Sequence, residues 1–179
     1  MLKRVIGVGA CLALAPGVAI AQRAEASARP GEGDVLVRVG DATLTPLTPD
    51  DIPLASAPTM AWAMEPGGKV VRSGSPLNRV LLVRLDPDTL GADTRARAAG
   101  GVVAYSAFCT HEGCEVSGWV SAEQMLFCAC HQSTFDPRNA ARVVDGPAPR
   151  SLPALPLKTV DATLVVARPF TSRVGSETP

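Results

Sequence analysis

Two short segments contain both histidines and four of the five cysteines of this chain, and they constrain the fold more than any other feature. The segments read CTHEGC at residues 109–114 and CACHQS at residues 128–133. Thiols and imidazoles concentrated in this way indicate a metal site, disulfides, or both. The fold must therefore present two loops side by side and hold them together.

Each segment offers one cysteine and one histidine as ligands, and this pairing discriminates between the possible sites. A Cys₂His₂ zinc site usually takes like pairs of ligands, with short spacings between the two cysteines and between the two histidines. A mixed-ligand 2Fe–2S centre has thiolates on one iron and imidazoles on the other, so each loop is expected to donate one of each. A pair of plain disulfides would not need the histidines. The spacing favours the iron–sulfur centre.

The rest of the chain predicts an all-β domain. The 16 glycines, 16 prolines and 4% aromatic residues suit a loop-rich β protein with an aliphatic core. One helix is predicted from Ala92 to Ala99, ended by Gly100-Gly101. Asp161-Ala162 is predicted as a hairpin turn, and residues 69–72 and 78–85 as a strand pair. Other strands are predicted at 35–39, 101–107, 123–129, 141–146, 152–160 and 163–169.

The length of the chain limits the number of domains, and its charge argues against nucleic-acid binding. The chain has 179 residues, enough for one well-packed domain with a tail or an anchor. It has 17 basic and 17 acidic residues and no long basic run, so it lacks the electrostatic signature of nucleic-acid binding. We expect no nucleic-acid partner.

The N-terminus predicts export. Lys3 and Arg4 precede an apolar run over residues 5–21 that ends in AIA, the pattern of a cleavable signal peptide. The run also reaches the lower limit of about 17 residues for a membrane span, so an uncleaved anchor is the alternative. Residues 22–34 are small and polar and predict a flexible tether. Both alternatives place the domain on the periplasmic side of the inner membrane, soluble or N-terminally anchored.

The two loops resemble the Rieske 2Fe–2S motif, C-x-H-x-G-C with C-x-C-H-x-S, at every fixed position. The resemblance implies a Rieske-type 2Fe–2S cluster with two thiolate and two imidazole ligands. It also implies a disulfide that ties the loops together and a serine hydroxyl that donates to a cluster sulfide. The implied residues are Cys109 and Cys128 on the inner iron, His111 and His131 on the outer iron, Cys114 and Cys130 in the disulfide, and Ser133 as the donor.

The resemblance also implies an architecture. We expect a Rieske domain over residues 35–170, with antiparallel base sheets built from both ends of the chain and a tail at 171–179. A small cluster-binding subdomain, at about 105–149, is expected to project from the base. GPAP at residues 146–149 is similar to the proline-rich loop that covers the cluster in cytochrome bc proteins.

Two residues depart from the quinol-oxidising members of that family. Phe135 stands where those proteins usually have a tyrosine whose hydroxyl bonds near a ligand sulfur. We expect its absence to lower the reduction potential. Glu112 follows the first histidine, where leucine is typical, and predicts docking on a partner other than a standard quinol pocket.

A protein of this kind carries one electron at a time and has no complete active site of its own. Oxygenase activity would need a second iron on two further histidines and a carboxylate, and the chain has no third histidine. The first hypothesis is the iron–sulfur subunit of a quinol:cytochrome c reductase, with cytochrome b and quinol as donor and a cytochrome c-type acceptor. The alternatives are the small subunit of a periplasmic molybdenum oxidoreductase of the arsenite oxidase type, with a molybdenum subunit as donor, and a stand-alone periplasmic carrier.

Overall fold

The computed structural model describes residues 23–176, and its regular structure is almost entirely β. Residues 23–27 are helical, and a second short α-helix, α1, covers Ala92–Arg95. Single 3₁₀ turns lie at Pro49–Asp51, Pro76–Asn78 and Pro87–Thr89. The strands in chain order are β1 (Val35–Arg38), β2 (Thr59–Glu65), β3 (Val70–Val71), β4 (Val80–Arg84), β5 (Val102–Ser106), β6 (Gly118–Val120), β7 (Met125–Cys128), β8 (Ser133–Asp136), β9 (Arg142–Asp145), β10 (Leu157–Val160) and β11 (Thr163–Val166).

The strands form two antiparallel sheets. The larger, base sheet has the order β10-β11-β1-β2-β4-β5, with β3 paired to β2. Strands from both ends of the chain meet in it, where Val35 of β1 lies opposite Val165 of β11. The smaller sheet is a meander in the order β6-β7-β8-β9. The predicted all-β fold, with a base built from both ends of the chain and a smaller sheet inserted between them, is confirmed.

Strand β4 is buried on both faces and separates two hydrophobic cores. Leu81 and Val83 pack in the core beneath the smaller sheet, together with Phe135. Val80 and Leu82, on the opposite face, pack in the core of the base sheet. Side chains alternate along a strand, so a strand buried on both faces has a continuous apolar run rather than an alternating one. Strand β5 has the same character.

Tyr105 links the two sheets. Its side chain is 1% exposed in β5, and its hydroxyl donates to the carbonyl of Pro137, in the turn between β8 and β9, at 2.7 Å. Burial raises the pKa of Tyr105, which keeps the hydroxyl protonated. The base sheet thus has a polar contact to the smaller sheet in addition to the shared apolar core.

The helix is shorter than predicted, since it ends at Arg95 instead of Ala99. Ala99 and Val102 exchange two backbone hydrogen bonds, of 3.0 and 2.9 Å, which draws Ala99 into a tight turn at the start of β5. Gly100 and Gly101 form the turn with φ of 58° and 80°. The two glycines were predicted to end the helix after Ala99. The turn that they form pairs Ala99 with Val102, so the helix ends before Ala99 is reached.

The predicted strand pair at 69–72 and 78–85 is wrong. β3 pairs with the end of β2, and β4 pairs with β2 and β5, so β2 separates the two segments. The predicted hairpin turn at Asp161-Ala162 is confirmed. Both residues have positive φ, 47° and 63°, between the paired strands β10 and β11, as the tight turns of hairpins require.

Several residues of the predicted tether, 22–34, contact the domain. Gly74 N–H donates to the carbonyl of Ala26 at 2.9 Å. The buried side-chain amide of Asn78 donates to the carbonyl of Ala28 at 2.7 Å. Asp34 is buried and forms an ion pair with Arg72 at 3.2 Å. These partners lie 38 to 50 residues away in the chain, so local composition could not indicate them.

The predicted signal peptide or anchor at residues 1–21 lies outside the described residues. Within residues 23–176 the structure contains no helix that is long and apolar enough to cross a membrane. At the other end, the described part of the predicted tail is attached to the domain, and Val174 is only 7% exposed.

Candidate metal centre

The first metal loop, residues 109–114, follows β5 and is closed by its own backbone. Cys109 N–H donates to the carbonyl of Cys114 at 2.8 Å, and Gly113 N–H donates to that of Cys109 at 3.0 Å. Gly113 has a φ of 75°, a conformation that side chains other than glycine adopt with strain. The loop is thus a narrow projection whose ends are held together.

The second metal loop connects β7 to β8. Cys128 is the last residue of β7 and pairs with Ser133, the first residue of β8. Residues 129–132 between them form the hairpin connection, in which Gln132 has a φ of 61°. The backbone of both strands therefore fixes the positions of Cys128 and Ser133.

A disulfide between Cys114 and Cys130 joins the first metal loop to the second. The Cα atoms of the two residues are 6.5 Å apart, within the range usual for disulfides. This is the pairing that the Rieske resemblance implies. It covalently fixes one loop against the other on the exposed side of the site.

Cys109 and Cys128 lie beneath the disulfide as free, buried thiols, 2% and 1% exposed. Burial raises the pKa of Cys109, and the neighbouring sulfur of Cys128 raises it further. Hydrogen bonds from the His111 N–H and the Ser133 hydroxyl act in the opposite direction and favour the thiolate. Two thiols placed together in an apolar core, with donors directed at sulfur, suit a pair of metal ligands, because binding requires thiolates.

The two histidines lie above the thiols and closer to the surface. Their rings meet edge to face, with centroids 4.7 Å apart. Nδ1 of His111 is buried and has no hydrogen-bond partner among the described residues. The side chain of His131 is 45% exposed. A buried imidazole nitrogen without a partner is unfavourable unless it binds a metal.

The two thiols and the two imidazoles do not converge on one ion. Within the described part of the chain, the one group of three or more potential ligands whose atoms all lie within 4.8 Å of one another comprises His111, Glu112 and His131. Neither thiol belongs to it, whereas all four ligands of a tetrahedral zinc site lie within bonding reach of one ion. A buried thiol pair below a more exposed imidazole pair fits a two-iron centre with mixed ligands.

The loop that contains GPAP packs on both metal loops. Ala148 N–H donates to Oγ of Ser133 at 3.1 Å, and the Thr110 hydroxyl donates to the carbonyl of Arg150 at 2.6 Å. A Cβ at Gly146, whose φ is 87°, would lie 2.5 Å from Cα of Ser133. Thr110, in CTHEGC, and Gly146, in GPAP, have roles that the sequence pattern alone does not indicate, because their partners lie on other segments.

Ser133 is fully buried, and its hydroxyl is directed at the sulfur of Cys109. It accepts from Ala148, so its own proton is available for that sulfur. Such a donor favours the more negative, reduced state of a metal centre and raises its potential.

Replacing Ser133 with Ala is therefore expected to lower the reduction potential. A hydrogen bond that strengthens by about 1 kcal/mol on reduction corresponds to about 40 mV. Voltammetry of the purified protein measures the shift. Thr134→Ala is the control, because its side chain lies on the opposite face of β8. Equal potentials for the two variants would contradict the role assigned to the Ser133 hydroxyl.

The two residues that depart from the usual pattern have different surroundings. The carboxylate of Glu112 lies 3.6 Å from Nε2 of His131, and both side chains are largely exposed. Phe135 is completely buried, in the same apolar core as Cys109 and Cys128. Glu112 is thus placed to influence a partner at the surface, and Phe135 to influence the metal centre from within.

Comparisons with known proteins agree with this geometry. Residues 78–156 match the family model of the Rieske [2Fe-2S] domain. The cytochrome bc1 complex Rieske iron-sulfur subunit of Streptomyces lividans is 34% identical over 126 residues, which cover 69% of this chain and 73% of that protein. A similar subunit from Streptomyces coelicolor is longer, and the matched region spans 35% of its length.

Two further relatives extend the comparison. A Rieske protein of Haloferax mediterranei, assigned to a respiratory nitrate reductase, is 38% identical over 97 residues, covering 53% of this chain and 43% of that protein. The crystal structure of a plasma-membrane Rieske protein from the cyanobacterium Synechocystis PCC 6803 matches with a TM-score of 0.38 and 25% identity, over 60% of this chain and 84% of that one.

Proposed function

Because this chain belongs to the Rieske iron–sulfur protein family, we propose that it is an exported one-electron carrier, the iron–sulfur subunit of a quinol:cytochrome c reductase-type respiratory complex. In this assignment cytochrome b and its quinol supply the electron, and a cytochrome c-type protein accepts it. The observation that carries the proposal is the buried pair of thiols beneath two outward-lying imidazoles, covered by the loop that contains GPAP.

The proposed ligands are those of the family motif. Cys109 and Cys128 bind the inner iron, and His111 and His131 bind the outer one. The 2Fe–2S cluster supplies one-electron transfer when bound. The chain supplies the surroundings: the apolar core excludes water from the thiolates, and Ser133 donates to the sulfur of Cys109.

The exposed side of the site is where a partner is expected to bind. The side chain of His131 reaches the surface, whereas the thiols lie in the core. The shortest path for an electron therefore leaves through the imidazole side. The Cys114–Cys130 disulfide supports a location outside the cytoplasm, on the periplasmic side of the inner membrane, since disulfides persist in oxidising compartments.

A second candidate function is the electron-transfer subunit of a different oxidoreductase, of the molybdenum type. The Haloferax relative is assigned to a respiratory nitrate reductase and is as similar over its matched region as the cytochrome bc1 relatives are over theirs. Glu112 places a carboxylate beside Nε2 of His131, where a quinol would have to approach. The same position of Glu112 is the ground for a third candidate, a stand-alone periplasmic carrier.

Replacing Phe135 with Tyr is expected to raise the reduction potential. Phe135 packs in the same core as both thiols, and a hydroxyl on its ring would add a donor near a ligand sulfur. Phe170→Tyr is the matched control, because Phe170 packs against the other core. Voltammetry compares the two variants with the parent protein. An unchanged or lower potential for Phe135→Tyr would remove this account of the position.

Purification of the untagged protein from native membranes and periplasm tests the function. The first assignment predicts co-purification with cytochromes b and c₁. Recovery with a large molybdenum protein instead would overturn it in favour of the second candidate. Recovery alone, in the periplasmic fraction and with its cluster, would favour the stand-alone carrier.

A further inference from the structure

The last described residues of the chain, 171–176, lie along the metal site; we refer to them as the C-terminal segment. Thr171 attaches the start of the segment to the domain, because its N–H donates to the carbonyl of Ala154 at 2.9 Å and its hydroxyl accepts from the Ala154 N–H at 3.0 Å. Further along, Val174 is buried. The segment is therefore held at both ends against the fold.

Arg150 connects the C-terminal segment to the first metal loop. Its guanidinium donates from Nη2 to the carbonyl of Gly175 at 2.7 Å. Its own main-chain carbonyl accepts from the hydroxyl of Thr110 at 2.6 Å. Thr110 is completely buried and stands between Cys109 and His111. One residue thus joins the segment, the loop that contains GPAP and the first metal loop.

The C-terminal segment also approaches the first loop from a second side. Oγ of Ser176 would be 3.9 Å from a Cβ at Gly113, the glycine whose positive φ turns the loop. Gly175 packs beside Leu77, whose Cδ2 would be 3.6 Å from a Cβ there. In the sequence of the first metal loop, His111 lies between Thr110, which is bonded to Arg150, and Gly113, which Ser176 approaches.

We propose that Arg150 and the C-terminal segment are positioning elements that hold His111 in its ligand-bearing orientation. The disulfide fixes the far end of the first loop at Cys114. The Thr110 bond, stabilised by Arg150, fixes the near end. The C-terminal segment lies beyond residues 78–156, which match the family model, whereas Arg150 and Thr110 lie within them. The inference rests on the proposed role of His111 as a ligand.

The test uses the full-length, cluster-loaded protein and compares Arg150→Ala, Arg150→Lys and Arg173→Ala. Arg173 is on the same segment, and its side chain is exposed, so its replacement controls for the loss of a positive charge. The readouts are the nitrogen hyperfine couplings of the imidazole ligands, measured by electron nuclear double resonance, and the half-life of the cluster in an iron chelator. Thermal unfolding is recorded in parallel.

Arg150→Ala is expected to alter one of the two sets of imidazole couplings and to shorten the half-life in chelator by about tenfold, since a charge-assisted hydrogen bond contributes about 1.5–3 kcal/mol. Arg150→Lys, which keeps a donor, is expected to recover part of the half-life. Arg173→Ala is expected to match the parent protein. Deleting residues 171–179 is expected to reproduce the effect of Arg150→Ala.

A lower unfolding temperature for Arg150→Ala, with unchanged couplings and half-life, would overturn the inference, because the contact would then only stabilise the fold. A separate variant, His111→Ala, tests the ligand assignment on which the inference rests. Retention of a normal mixed-ligand spectrum by His111→Ala would refute that assignment, and the positioning role with it. Loss of the cluster in His111→Ala, together with unchanged Arg150→Ala couplings, refutes the positioning role alone.

Discussion

Cys109→Ser is expected to abolish the 2Fe–2S centre completely. The Cys109 sulfur is 2% exposed and lies beside that of Cys128, with donors from the His111 N–H and Ser133. Serine fills nearly the same volume, so the core keeps its packing, but its hydroxyl is a far poorer anion and a harder ligand than a thiolate. The prepared protein should be colourless. It should also lack the low average g value of a reduced mixed-ligand cluster in electron paramagnetic resonance.

Cys114→Ser is the matched control for this prediction, because it also replaces sulfur with oxygen, at a cysteine that is not a proposed ligand. It breaks a disulfide that spans 16 residues of sequence, which is expected to cost about 3 kcal/mol of stability. The cluster should still form and should be lost more readily on heating. A fully retained cluster in Cys109→Ser, or a parent protein that binds one zinc ion without colour, would refute the ligand assignment.

Gly146→Ala is expected to be strongly destabilising. Its φ of 87° costs a side chain about 1–2 kcal/mol. The added Cβ would also lie 2.5 Å from Cα and 2.8 Å from N of Ser133, backbone atoms that cannot rotate away. Forcing a methyl group into such a contact costs a further 1–3 kcal/mol, approximately. The loop that contains GPAP should then lift from the second metal loop and expose the cluster.

Gly40→Ala separates the two contributions to that cost. Gly40 has nearly the same φ, 84°, but a Cβ there would have no neighbour within 4 Å. Gly40→Ala should therefore lower the free energy of unfolding only through the unfavourable positive φ. Denaturant unfolding of both variants gives the difference, and the half-life of the cluster in an iron chelator should fall for Gly146→Ala alone. Equal losses of stability would show that the close approach to Ser133 is not important.

The centre of the site could be predicted from sequence because its information is local. The two loops carry their cysteines, histidines and turn residues within a few positions of one another, so the spacing favours an iron–sulfur centre. The division into four proposed ligands and one disulfide comes from the Rieske resemblance. The hairpin at Asp161-Ala162 was predictable for the same reason. By contrast, β2 was missed because the segment TMAWAME is rich in alanine and methionine, which have little preference for strands.

The supports around the site depend on partners distant in sequence. Residues 25–34 read as a tether because nothing in their composition indicates that Asn78 and Arg72 bind them. Residues 171–176 read as a tail because the bond from Arg150 to Gly175 joins two segments that share no motif. Such contacts are determined by the packed fold as a whole, so they cannot be predicted from a pattern of neighbouring residues.

Strand β4 has a mechanical consequence for electron transfer. Its alternate side chains belong to both cores, and Tyr105 on the neighbouring strand is hydrogen-bonded to the turn beside β8. Hinging one sheet away from the other would uncover Leu81 and Val83 and break that bond. Under the function proposed above, the domain is therefore expected to meet its redox partners as a rigid body. The two sheets then keep a fixed spacing and orientation relative to each other.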